Sequence, residues 1–405
     1  MINNINRREF IKLVGIGLAS LGVPRLGHSP AAAAVEGKLQ PIFLPLVLNN
    51  DNQIRMPGRV VHVHAPAVTN WGFNANEYYG STKTAEKTGV DQALVNSMVD
   101  VGVTSLLGLP VNAVAQAWKL LLPGYVHGSR VALKINLNNS GNCSSSTTAI
   151  DAIAQPINAV VSGLIQAGVR AQDICVYDAI RYFPDRLYEQ LVFKTVNIHD
   201  MGCRGTVTTW LSSDPTSIIK FAPPDGEPPL VKLCDTLINA DYLINMPILK
   251  AHSWSGVTLG FKNHFGSTNN PGGMHAHIST SYVDINTYNG LVDLFSNPHI
   301  RNKTCITIGD AIYGSRGDLA SPPQPWTTFQ NRSPCSLFFA TDPVAVDCVM
   351  HDLLKAERGI FQSGNSNVYL KLAGDRGLGI FEQGDPWKMP YSSGYSLIDY
   401  RRIQL

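Results

Sequence analysis

Charge is scarce in this chain of 405 residues: only 15% of it is Asp, Glu, Lys or Arg, and the formal net charge is +2. Arg7, Arg8, Lys12 and Arg25 against Glu9 give the first 34 residues +3, leaving about −1 for the remainder. A near-neutral body offers no electrostatic reason to expect nucleic acid or an anionic membrane as partner. The seven cysteines, at 143, 175, 203, 234, 305, 335 and 348, include no C-x-x-C pair. Spacing therefore gives no support to a thiolate zinc site, and no ferredoxin-type iron–sulfur cluster is expected. Phosphate-loop Gly-Lys-Ser/Thr, dinucleotide G-x-G-x-x-G and nucleophile-elbow motifs are missing from the settings they require. GSRGD at Gly314–Asp318 reads as an ordinary loop turn.

What is present suits a sizeable core. Hydrophobic residues make up 44% of the chain, while 35 glycines and 25 prolines point to a loop-rich fold. Residues 1–34 read as an export signal. NRREFIK is followed by the short apolar run LVGIGLASLGV and by SPAAAA, with small-residue cleavage sites near Ala34. The paired arginines resemble a twin-arginine signal, with Asn6 and Ile11 departing from its usual residues. The expected partner is then the twin-arginine machinery, the expected location is outside the cytoplasm, and no transmembrane segment remains after cleavage. Some cysteines could pair there, with at least one left over; Cys175, Cys234, Cys305 and Cys348 lie in apolar patterns of buried residues.

Residues 35–57 read as a linker and 58–405 as a single α/β domain. RVVHVHAP from Arg59 alternates, placing Val61 and Val63 on one face and His62 and His64 on the other. RVALKINLN and DICVYD read as strands separated by a helix over 147–168, restarted at Pro156. Such a unit is a crossover and implies a parallel sheet. The expected fold is a mainly parallel sheet flanked by helices, a Rossmann-like three-layer arrangement. Residues 181–229 are expected to form a small β-rich or irregular insertion, and 374–405 a tail draped over the domain.

The most informative stretch is ADYLINMPILKAHSWSGVTLGFKNHFGST, Ala240–Thr268. It reads as a buried strand ending near Pro247, a polar loop with Lys250, His252 and Ser255, then a helix with Val257, Phe261 and Phe265 four residues apart and Gly266 as its stop. Ligands of open α/β sheets bind beyond the carboxyl ends of strands, beside helix N-termini that attract anions. Lys250, His252, Ser255, Thr258 and Lys262 are thus expected to face one crevice. Other strand-end polar residues, Lys134, Asn136, Asp178, Asp310 and Asp342, gather with them if the strands are parallel neighbours. The weaker metal pattern is H-x-H: His275 and His277, read as an extended loop, could join His252 around a divalent transition metal. The same pattern at His62 and His64 reads as satisfied strand histidines.

In this order and spacing, VALKINLN, INMPILKAHSWSGVTLGFKNHFG, LVDLF with TCITIGDAIYG, and ATDPVAVDCVM resemble domain-of-unknown-function family 362. The matching positions are Lys134, Asn136, Asp178, Lys250, His252, Thr258, Lys262, Asn263, Asp293, Asp310, Asp342 and Asp347. The resemblance implies a single α/β domain with a site around Lys250–Asn263 and supplies no reaction. Many members carry ferredoxin-like cysteine clusters, which this chain lacks. The expectation is an exported protein that binds a small anionic molecule, with or without a metal. Lys250, Lys262 and Lys134 would hold the anion, His252 would act as acid/base or ligand, and Asp178 or Asp310 would orient or coordinate. The rivals are a non-catalytic cell-envelope binding protein and a redox accessory protein.

Overall fold

The computed structural model describes residues 47–48, 54–70, 89–144, 148–222, 230–278, 283–317, 321–358 and 366–405. The signal segment and most of the linker lie outside them. All described residues belong to one unit, Leu44–Leu405. Within the expected linker, β1 (Val47–Leu48) and β2 (Ile54–Arg55) pair antiparallel.

Eleven strands form the main sheet. After β3 (Arg59–His64) come helices α1 (Gln92–Leu106) and α2 (Val114–Leu121), then β4 (Val131–Lys134), α3 (Ala154–Gln166) and β5 (Ile174–Tyr177). Asp91 caps α1, its carboxylate accepting the Leu94 N–H at 3.0 Å, and Val95, Met98, Val99, Val103 and Leu106 form the buried face. α3 begins at Ala154, later than the sequence pattern predicts; Pro156 falls in its first turn, where a missing N–H costs nothing. β6 (Asn197–Asp200), β7 (Thr206–Val207), β8 (Tyr242–Asn245), β9 (Ile248–His252), β10 (Gly256–Thr258), β11 (Thr304–Ser315), β12 (Ser336–Ala340) and β13 (Asp399–Gln404) complete the strands.

The order across the sheet is β13-β3-β12-β11-β8-β4-β5-β6-β7, with β9 beside β11 and β10 beside β9. β11, β8, β4, β5, β6 and β7 run parallel, and β12 is antiparallel to both β11 and β3. Two findings revise the sequence reading. Among the described residues of 181–229, β6 and β7 extend the main sheet. The tail ends as a strand, β13 lying parallel to β3 from Asp399 opposite Arg59 to Gln404 opposite His64.

Both sheet faces are covered, which is why the central strands read as continuous apolar runs. One core joins Val131, Leu133, Val176 and Ile306 to α1 and α3. The other joins Ala132, Leu243 and Leu249 to three helices: α4 (Gly260–Asn263), α5 (Gly290–Ser296) and α6 (Pro343–Arg358). Among the described residues no helix is long and apolar enough to cross a membrane.

Candidate functional site

Lys250 and His252 lie on a strand, not in a loop. β9 turns back into β10, with Thr258 opposite Lys250 and Gly256 opposite His252. Side chains of a strand alternate, so Leu249 and Ala251 enter the core while Lys250, His252 and Thr258 share the other face. Gly256 makes the turn at φ +76°, and a Cβ there would stand 2.0 Å from Ser366 Cβ. Ser255 serves the turn as well: its hydroxyl donates to the Val257 carbonyl at 2.7 Å. The helix expected from Val257 onward shrinks to α4 and a 3-10 turn, His264–Ser267.

The buried His252 ring is held by this turn. Its Nδ1 accepts the backbone N–H groups of Trp254 (3.1 Å) and Ser255 (3.4 Å), so the ring proton is on Nε2. Among the described residues, His252 Nε2 and Thr258 Oγ1 are buried without a hydrogen-bond partner. Burial, together with Lys262 and Lys250 nearby, lowers the His252 pKa to about 2, keeping the ring a neutral donor. His275 stacks on it with centroids 5.7 Å apart and planes 17° from parallel. Lys262 Nζ lies 3.4 Å from His275 Nε2 and 4.0 Å from the centroid of the Phe265 ring.

Lys134, Asn136, Asp178 and Asn263 form a neighbouring, internally bonded network at the carboxyl ends of β4 and β5. Lys134 Nζ donates to Asp178 Oδ2 (3.0 Å), the Ile135 carbonyl (2.5 Å) and Asn263 Oδ1 (3.2 Å). Asn136 Nδ2 also donates to Asn263 Oδ1, at 3.2 Å. Asn263 Nδ2 in turn donates to Asn245 Oδ1 at 2.8 Å and to the Lys134 carbonyl at 3.2 Å. Lys134 is fully buried, and burial lowers its pKa despite the partner carboxylate. Its donors already serve the protein, which makes this network the floor that positions α4.

Other expected members fall elsewhere. Asp310 is inside β11, not at a strand end, between Ile248 of β9 and Leu337 of β12; burial raises its pKa to about 7. Asp342 follows an antiparallel strand and so lies at the opposite sheet edge. There it caps α6, accepting the N–H groups of Val344 (3.1 Å) and Ala345 (2.9 Å). Asp347 accepts the N–H groups of Gly260 (2.8 Å) and Phe261 (3.1 Å), tying α4 to α6. Asp293 accepts the Ala222 N–H at 2.8 Å and pairs with Arg376.

His275 and His277 occupy a 3-10 turn, His275–Ile278, not an extended loop. His275 faces His252, whereas His277 stacks on Phe221 with centroids 4.6 Å apart. The structure thus joins two of the three candidate metal ligands and separates the third. Among the described residues no three His, Cys, Asp or Glu side chains are grouped to hold a metal ion. His62 is satisfied within the sheet. Ser336 Oγ donates to the Pro334 carbonyl at 2.6 Å and accepts from His62 Nε2 at 2.7 Å, leaving Nδ1 to accept from the Tyr400 hydroxyl at 2.7 Å.

Sequence reasoning missed Asn245 and Asp151. Asn245 holds α4 through its Nδ2 bond to the Gly260 carbonyl at 3.0 Å. Asp151 accepts from Ser140 (2.9 Å) and pairs with Arg186 (3.1 Å); burial raises its pKa, opposed in part by the Arg186 and, more weakly, the Lys250 charge. Polar residues flanking apolar runs were the available signal for both. A cavity of about 480 Å³ lies near the start of β11, beside Arg55 and Asp342. The Arg55 guanidinium there is bound to the Thr304 and Thr341 carbonyls at 2.7 and 3.2 Å, which assigns it to structure.

The family model described as Domain of unknown function (DUF362) matches residues 131–352, more than half of the chain. No curated protein matches. A crystal structure of a protein from Thermotoga maritima is similar at 11% identity and a TM-score of 0.27, over 50% of this chain and 51% of that one. The chain thus spans about half the length of that structure, and at this level the likeness carries no argument.

Proposed function

The chain belongs to the DUF362 family, and from that premise we propose that it is an exported protein binding a small anionic ligand at Lys250, His252, Thr258 and Lys262. The observation that carries the reading is the placement of two lysines around two buried donors, His252 Nε2 and Thr258 Oγ1, that have no hydrogen-bond partner among the described residues. A buried donor left unsatisfied costs about 1–3 kcal/mol, a cost that an acceptor ligand would remove. The neutral His252 ring serves as a donor to the anion and not as its base. Lys134, Asn136, Asp178 and Asn263 support the site from beneath.

Export rests on the twin-arginine-like start and on the Cys143–Cys203 disulfide, since disulfides persist in oxidising compartments. The test is binding of inorganic phosphate and small carboxylates to the purified protein, by thermal shift and calorimetry. Lys250→Met and His252→Ala are expected to remain folded and lose binding. Unchanged binding in both variants would sink the proposal. Loss of stability without any ligand effect would favour the rival, a structural polar network in a non-catalytic envelope protein.

A further inference from the structure

The two stacked imidazoles of the site are fixed in opposite tautomers. His252 Nδ1 receives two backbone N–H groups, so its Nε2 can only donate. His275 Nδ1 lies 2.8 Å from the Pro271 carbonyl, which can only accept. The His275 proton is therefore on Nδ1, and its Nε2 can only accept, at present from Lys262 at 3.4 Å. Backbone sets both assignments: the β9–β10 turn for His252, and the turn around Asn270, whose side chain caps Gly273 N–H at 2.9 Å, for His275. The shared face of β9 and β10 thus offers two donors unpartnered among the described residues, His252 Nε2 and Thr258 Oγ1, and the stacked His275 ring offers an acceptor, Nε2.

Resting on the anion reading above, we propose that the ligand is a small 2-hydroxy carboxylate. Its carboxylate would accept from His252 Nε2–H and Thr258 Oγ–H, and its hydroxyl would donate to His275 Nε2. A simple carboxylate such as acetate satisfies the donors and leaves the imidazole acceptor unused. A hydroxyl next to a carboxylate supplies both kinds of group within roughly 2.7 Å of each other, matching a donor ring and an acceptor ring that stack with centroids 5.7 Å apart. The Lys262 contact to His275 is long, and a bound carboxylate would draw the ammonium away, exposing the His275 lone pair to the hydroxyl. Trp254, 55% exposed, makes a T-shaped contact with His275, ring centroids 5.2 Å apart, on the solvent side of the pair.

The test uses the full chain with glycolate, acetate and inorganic phosphate as probes, by calorimetry. Glycolate is expected to bind about tenfold more tightly than acetate, the worth of one added hydrogen bond. His275→Phe, which keeps a stacking ring, should erase that difference. His252→Ala should weaken both carboxylates, and His252→Gln, whose amide N–H can stand in for Nε2–H, should restore part of the loss. Equal binding of glycolate and acetate, or binding of phosphate alone, overturns the hydroxy-acid assignment and leaves the anion reading standing. If none of the three binds, both fall. Nitrogen-15 NMR of the wild-type rings gives a check that needs no variant: protons on Nε2 of His252 and Nδ1 of His275 are expected, and either reversed tautomer overturns the proposal.

Discussion

Lys134 Nζ and Asp178 Oδ2 lie 3.0 Å apart, with side chains 0% and 4% exposed, and a Cβ at Gly266 would meet both. The pair closes the ends of β4 and β5, and Asn263 links it to α4, the helix that carries Lys262. Removing one charge from a buried pair leaves the other without compensation, a loss of about 3–5 kcal/mol. Lys134→Met and Asp178→Asn are each expected to lower unfolding free energy in urea by that order. The double variant should cost clearly less than the two together. Additive losses would mean that the charges do not depend on each other.

Gly266 has no need of an unusual backbone; it needs space. A Cβ at this position would stand 2.6 Å from Lys134 Nζ and 2.8 Å from Asp178 Oδ2. Gly266→Ala is expected to push the pair apart and to cost about 1–3 kcal/mol, the usual effect of overpacking. Thermal unfolding measures it, and wild-type stability in the variant would contradict the close approach.

His264 titrates far from its ordinary range. Burial, aided by the Lys134 charge, lowers its pKa from 6.5 to about 3. Below pH 6.5 the unfolded chain takes up a proton on this ring and the folded chain does not. Stability that is complete above 6.5 is therefore lost as pH falls toward 3, at up to about 1.4 kcal/mol per pH unit. His264→Gln has no such term. The stability difference between wild type and variant should shift by about 3 kcal/mol against the wild type between pH 6.5 and 4. A difference that does not change with pH would show that the folded ring accepts the proton.

The Cys143–Cys203 disulfide closes 60 residues, tying the loop after β4 to the segment after β6. The remaining five cysteines are thiols, four of them buried. Mass spectrometry after alkylation in denaturant should find five modified cysteines without reductant and seven with it. Cys143→Ser with Cys203→Ser is expected to cost about 2–4 kcal/mol in reversible unfolding, a typical effect of losing a disulfide. Seven modified cysteines without reductant would remove the bond, and with it one of the two supports for export.

Much of the architecture was legible because period and composition act locally. Val131, Leu133, Ile174 and Val176 belong to short apolar runs, and the helix between them fixes a parallel pairing. The candidate site's residues were legible as a cluster in Ala240–Thr268. The site's shape was not, because Pro247 was read as the end of one strand when a second strand, β9, follows directly. Gly256, which turns that strand back, looked like one glycine among many. The β6 and β7 strands are short and polar at their ends, so nothing in their pattern showed that they extend the main sheet.

The sequence by itself determined a mainly parallel α/β sheet buried on both faces, together with the segment that holds Lys250, His252 and Lys262. Those follow from side-chain periodicity and from which residues can tolerate burial. Tertiary structure alone decided which polar groups meet. Strand direction sent Asp342 to the opposite edge, a 3-10 turn separated His277 from His275, and the β9–β10 turn fixed the tautomer of His252. Each depends on contacts between residues far apart in the chain, or on the hydrogen-bond state of a backbone turn, and neither is written in the local pattern of residues.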